Sequence, residues 1–213
     1  MQPSFWHERW ERGQLGFHRD AVHPDVVAYA ADWGAKRILV PLCGATRDLG
    51  WLAGRGGDVT GVELSPIAAA RVFSELGVEP STTTEGPFSV LRAPIGSGTL
   101  TIVVGDFLAF TADGFERVWD RAAMIALPPA MRAAYVAHLR ARCAPGAELL
   151  LNVLHYQGPF EGPPFSVPDA EVAAAYADAK IDELDRTDLR TAEPRWATAT
   201  VAEGVTRRIR LPG

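Results

Sequence analysis

Cysteine is nearly absent: among 213 residues only Cys43 and Cys143 carry thiols. There is therefore no disulfide framework and no CxxC pair for a metal or redox centre. No apolar run approaches the roughly 20 residues that a membrane-spanning helix needs. Residues 1–12 are aromatic and charged, unlike the apolar core of a secretory leader. The five histidines show no HExxH and no other paired ligand spacing, so no metal site is expected. Basic residues cluster only at Arg207, Arg208 and Arg210, in a chain of net charge -5. These read as a β-strand with solvated arginines, and the chain lacks the cationic stripe on which nucleic-acid affinity depends. Neither GxGxxG nor the GxSxG of a nucleophile elbow is present. These absences fit a cytoplasmic protein that binds neither nucleic acid nor membrane, and no interface signal argues against a monomer.

What is present is an ordinary globular composition, 47% hydrophobic and 22% charged, enough for one domain over residues 1–213. The first 35 residues read as two amphipathic helices forming a cap, with Phe5, Trp6, Trp10 and Leu15 in the first and Pro24 at the start of the second. Residues 37–42 (RILVPL) suit a central parallel strand buried on both faces. A helix over 47–55 and a strand over 58–62 follow, then a helix over 67–76 opened by Ser65 as N-cap and Pro66 at the first turn. Strands are expected at 89–93, 99–104, 115–119 and 148–154, with a helix over 128–143. This alternation predicts an α/β fold: a Rossmann-like, mainly parallel sheet with helices on both faces. Residues 155–168, rich in Gly, Pro and Phe, suit an ordered loop over a site. A helix over 169–179 and two strands near 181–189 and 196–211 would close the sheet antiparallel.

The chemistry concentrates after the first strand. Pro41-Leu42-Cys43-Gly44-Ala45-Thr46 leads into a helix, and a second strand ends at Glu63, about 20 positions beyond Gly44. A glycine in that turn lets backbone approach a nucleoside, and a carboxylate at that distance accepts both hydroxyls of a ribose. The bland alternative is that Glu63 caps the helix starting near Ser65. A single glycine leaves little room for a pyrophosphate, which disfavours a dinucleotide and suits S-adenosylmethionine (SAM), a cofactor without phosphate. Cys43 reads as a small buried thiol rather than a nucleophile.

Ordered blocks between residues 5 and 168 resemble the thiopurine S-methyltransferase family, its bacterial members above all: FWHERW (5–10), GFH (16–18), VPLCG (40–44) with Asp48 and WLA (51–53), GVELS (61–65), DRAAMIALP (120–128) and EGPPFSVP (161–168). The resemblance implies a class I SAM-dependent methyltransferase with added N-terminal helices folding over the cofactor. It implies cofactor contacts from Trp10, Leu42, Gly44, Glu63, Arg121 and the segment Gly105, Asp106 and Phe107. It places the acceptor near Phe17, His18, Arg121 and Phe165, with Arg121 as the catalytic residue. Family members usually carry Lys after PLCG, where this chain has Ala45. A second family arginine that helps bind the aromatic acceptor corresponds to Arg190 or Arg195.

The expected reaction is methyl transfer from SAM to the sulfur of a small, thiopurine-like acceptor. Because aromatic thiones ionise easily, no strong base is required, and Arg121 would stabilise the acceptor's anion. Selenium or tellurium oxyanions, halides and other small thiols are alternative acceptors; a nicotinamide oxidoreductase and a non-catalytic SAM-binding protein are alternative functions.

Overall fold

A computed structural model describes residues 3–14, 16 and 18–213. Its centre is β1 (Arg37–Pro41), whose Ile38, Leu39 and Val40 are all buried. Each such aliphatic side chain contributes about 1.5–3 kcal/mol when taken out of water. Parallel neighbours β2 (Asp58–Glu63) and β5 (Gly98–Val104) extend the sheet on one side of β1; β6 (Phe115–Arg121) and β7 (Cys143–Gln157) extend it on the other. Antiparallel strands finish both edges: β4 (Phe88–Ile95) and β3 (Ser81–Glu85) beyond β5, β9 (Val201–Arg210) and β8 (Lys180–Asp188) beyond β7. The order in the nine-stranded sheet is β3-β4-β5-β2-β1-β6-β7-β9-β8.

Helices cover both faces. On one lie α1 (Pro3–Glu11), α2 (Pro24–Tyr29), α3 (Asp48–Gly54) and α4 (Pro66–Leu76), with Trp10, Val26, Trp33, Leu49 and Phe73 in a shared apolar cluster. On the other lie α5 (Ala123–Ala126), α6 (Pro129–Arg142) and α7 (Asp169–Ala175), which bury Met124, Tyr135, Leu139 and Val172. Among the described residues no helix is long and apolar enough to cross a membrane.

Several expectations need correction. Strand β3 was not foreseen because all five of its residues are exposed, so it carries no alternating pattern. The helix expected over 128–143 ends at Arg142, and β7 begins at Cys143 and runs to Gln157, so the loop starts at residue 158 and not 155. Helix α7 stops at Ala175, and the last strand starts at Val201 after a short 3-10 turn, Pro194–Trp196. The C-terminal arginines do lie on a strand but are not simply solvated. Arg207 is buried and pairs with Asp169 and Glu183, Arg208 pairs with Glu148, and Arg210 with Glu148 and Asp182.

The split between β1 and β6 positions the site. The chain order runs outward from β1 in opposite directions, through β2 and β5 on one side and β6 and β7 on the other, so a topological switch lies between β1 and β6. β1 pairs with β2 as far as Pro41 and Val62, and β6 with β7 as far as Arg121 and Asn152. Between β1 and β6, pairing covers only Ile38 with Arg117 and Leu39 with Val118. The carboxyl ends of the two central strands therefore part.

Helix α4 begins as its sequence dictates. Ser65 is extended, its hydroxyl accepts from the Ala68 amide, and Pro66 fills the first turn. Replacing Ser65 with Ala should cost about 1 kcal/mol, read as a lower urea midpoint with an unchanged slope. An unchanged midpoint would show that the cap carries no stability.

Candidate functional site

Three loops meet at the Glu63 end of β2. One carboxylate oxygen of Glu63 accepts from the Gly44 amide at 2.8 Å and the other from the Ser65 amide at 2.8 Å. Its backbone carbonyl accepts from the Gly105 amide at 2.9 Å. The loops after β1, β2 and β5 are thus tied to one residue, and Glu63 binds the Ser65 amide at the helix entry as well as the Gly44 turn. Burial pushes its carboxyl above the usual range, opposed by the amides of Ser65, Gly44 and Leu64. A carboxylate has about four acceptor positions. The Gly44 and Ser65 amides take one position on each oxygen, which leaves acceptor capacity for hydroxyl donors.

The turn after β1 needs unusual backbone. Leu42 has φ +48° and Gly44 φ +55°, both left-handed, which is costly for leucine and free for glycine. Trp10 closes over this turn: its ring lies 3.5 Å from where a Cβ on Gly44 would stand. Ala45, at the family's lysine position, is buried in the apolar cluster that holds Trp10.

Across the split, Arg121 ends β6 half-buried. Burial pulls its guanidinium below the usual value, and Asp48 opposes that effect. It remains a cation at neutral pH. Asp48, at the start of α3, is fully enclosed: Oδ1 accepts from the His23 amide at 2.7 Å and Oδ2 from the Trp119 indole at 2.8 Å. Asp25 of α2 accepts from Asn152 at 3.3 Å and from the Thr206 hydroxyl, while Asn152 donates to Thr206 at 2.8 Å. These bonds fasten the cap to β6, β7 and β9.

The whole chain fits this picture by comparison. The family model for thiopurine S-methyltransferase matches residues 1–211. The chain belongs to the thiopurine S-methyltransferase family. A thiopurine S-methyltransferase of Pseudomonas entomophila is 40% identical over 218 aligned positions, covering 99% of both chains. One from Pseudomonas paraeruginosa is 43% identical over 197, covering 89% of this chain and 88% of its own. In fold, the chain resembles the 1,6-didemethyltoxoflavin-N1-methyltransferase of Burkholderia thailandensis, solved with S-adenosylhomocysteine: TM-score 0.68, 16% identity, 99% of this chain and 87% of that one. The expectations of a Rossmann-like class I fold, of SAM as cofactor and of a SAM-dependent S-methyltransferase all hold.

The residues that family resemblance singled out are not all in one place. Gly105 and Asp106 lie beside the Glu63 hub, Asp106 exposed and capping Leu108. The Phe107 ring instead packs inward on Tyr135 and His138, leaving only its backbone near the loop. His18 lies against α4, its Nε2 3.2 Å from Arg71, and burial and Arg71 lower its pKa. Phe17, like Leu15, lies outside the described residues. Phe165 is held by its amide, which donates to Ile125 at 2.7 Å, and the Ser166 hydroxyl links to both backbone groups of Tyr156. The 158–168 loop is thereby pinned to β7 and α5. Arg190 and Arg195 are exposed and pair with Asp188 and Glu193. A cavity of about 590 Å³ lies between α6 and α7, lined by Met124, Arg132, Val136, Glu171 and Ala174, with Arg132 also donating to the Ser166 carbonyl at 3.0 Å.

Sequence reasoning assigned no role to Asp48, His23, Asp25, Asn152 or Thr206. Asp48 stood within a matched block, which was a usable signal. The others come together only through folding.

Behind Arg121, the fully buried Asp120 accepts from the Tyr135 hydroxyl at 2.7 Å. Burial raises its pKa from 3.8 to about 6, against the pull of Tyr135 and the amides of Met124 and Ala123. A carboxyl raised on folding favours the folded state below its unfolded pKa, and that contribution is lost as pH climbs through the folded value. The displacement corresponds to about 3 kcal/mol, lost between about pH 4 and pH 6. In Asp120→Asn this component vanishes, so the variant should gain relative to wild type by up to about 3 kcal/mol over that interval. Denaturant melts at both ends of the interval read it, and a pH-independent difference contradicts it.

Proposed function

We propose that the chain methylates the ionised sulfur of a small, thiopurine-like acceptor held between the Glu63 hub and Arg121, at the opening between β1 and β6. The observation that carries this reading is the Glu63 carboxylate, oriented by the Gly44 and Ser65 amides with acceptor capacity to spare. The residues present suit SAM better than a dinucleotide. The turn after β1 has the single glycine Gly44 and no GxGxxG, which leaves little room for a pyrophosphate at the start of α3. This argues against the nicotinamide reading.

When bound, SAM supplies an electrophilic methyl group on a positively charged sulfur. The chain's own part is alignment and exclusion of water. Glu63 would hold the ribose; Leu42, Gly44 and Trp10 would shape the wall along it, and Gly105, Asp106 and the Phe107 backbone would meet the adenine. Arg121 would stabilise the acceptor anion, with Phe165 and His18 proposed to lie near the acceptor. The chain is proposed to act as a monomer in the cytoplasm, where SAM is made.

Labelled-methyl transfer from SAM to 6-mercaptopurine tests the reading. The expected result is steady transfer by the wild type and a loss of about 100-fold in Arg121→Ala, with S-adenosylhomocysteine affinity retained. Near-wild-type turnover in that variant would contradict the role of Arg121. Absent transfer despite SAM binding would move the acceptor to chalcogen oxyanions or halides.

A further inference from the structure

Asp48 belongs to α3, which follows the cofactor loop, yet its two oxygens reach elsewhere. One binds the His23 amide at the entry to α2, and the other the Trp119 indole, two residues before Arg121 on β6. Its side chain is 1% exposed, so it meets no solvent that could compete for these bonds. Both bonds have backbone or ring donors with no freedom to rotate away, and a carboxylate in this geometry fixes both partners. The charged groups around this point are Arg121 on β6, Arg19 between α1 and α2, and His23 and Asp25 at the start of α2. His23 is committed through Nδ1 to the Asp25 amide at 3.2 Å, and Asp25 to Asn152 and Thr206.

We propose that Asp48 is a positioning residue for methyl transfer, locking the N-terminal cap onto the end of β6 and balancing the charge with which Arg121 meets the acceptor anion. This rests on the reading of Arg121 as the group facing the acceptor. Two consequences separate it from a structural role alone. Neutralising Asp48 loosens the cap and so weakens acceptor binding. It also leaves Arg121 less compensated, so a bound acceptor ionises at lower pH.

The test is kcat/KM for 6-mercaptopurine, with the acid limb read from the pH dependence of kcat at saturating acceptor, in Asp48→Asn, Trp119→Phe and Arg121→Ala. In Asp48→Asn the value should fall about tenfold or more, chiefly through the acceptor KM, while S-adenosylhomocysteine binding changes little. The acid limb should move down by about half a pH unit or more. Trp119→Phe removes one bond and keeps the charge, so the rate should fall with the limb in place. Arg121→Ala should move the limb upward; a limb it leaves unmoved would sink the Arg121 reading itself. An acid limb unmoved or raised in Asp48→Asn, with Arg121→Ala behaving as expected, would overturn the proposal for Asp48 alone. If Asp48→Asn does not fold, amide exchange in the wild type decides: the His23 amide should be protected by about 100-fold or more in the S-adenosylhomocysteine complex, and an unprotected amide overturns the lock.

Discussion

A single buried carboxylate organises the carboxyl end of the central strands. Burying the charge of Glu63 is unfavourable, and its raised pKa records that. Offsetting it are charge-assisted bonds from the Gly44 and Ser65 amides, each at 2.8 Å. Those bonds hold the left-handed turn at Leu42 and Gly44, the entry to α4, and, through the Glu63 carbonyl, the start of the loop after β5. Remove the carboxylate and the loops after β1 and β2 lose their common anchor, the Gly44 and Ser65 amides lose their partner, and only the backbone bond to Gly105 remains.

The second constraint is the early end of pairing between β1 and β6. Past Leu39 and Val118 the two strands exchange no ladder bonds, and the groups near the opening are satisfied by side chains from other elements. Asp48 takes the Trp119 indole and the His23 amide; Asp25 joins Asn152 and Thr206. The N-terminal cap is therefore wired into the sheet by buried polar bonds, which are directional and fail together. Small errors there would translate into poor alignment of reacting atoms.

The hub was legible in sequence because its parts are local: a strand, a glycine turn, a second strand and a carboxylate about 20 positions on. The N-cap at Ser65 was legible for the same reason. The Asp48 to Trp119 bond spans 71 positions and the Asp25 to Thr206 bond 181, and no periodicity reports such pairings. Arg207 was misread as solvated because its partners, Asp169 and Glu183, sit on α7 and β8, and a sequence shows charge without showing who neutralises it. Strand β3 carries STTTE, exposed throughout, and owes its existence to pairing with β4. Helix α5 is four residues long and follows Ala122 at φ +68°, a conformation that composition does not announce.

The most direct measurement is a crystal structure with S-adenosylhomocysteine. The account predicts both ribose hydroxyls on the Glu63 carboxylate, the Gly44 and Ser65 bonds retained, and the ligand sulfur in the opening between β1 and β6, facing Arg121. A ribose bound away from Glu63, or a sulfur outside that opening, would contradict it.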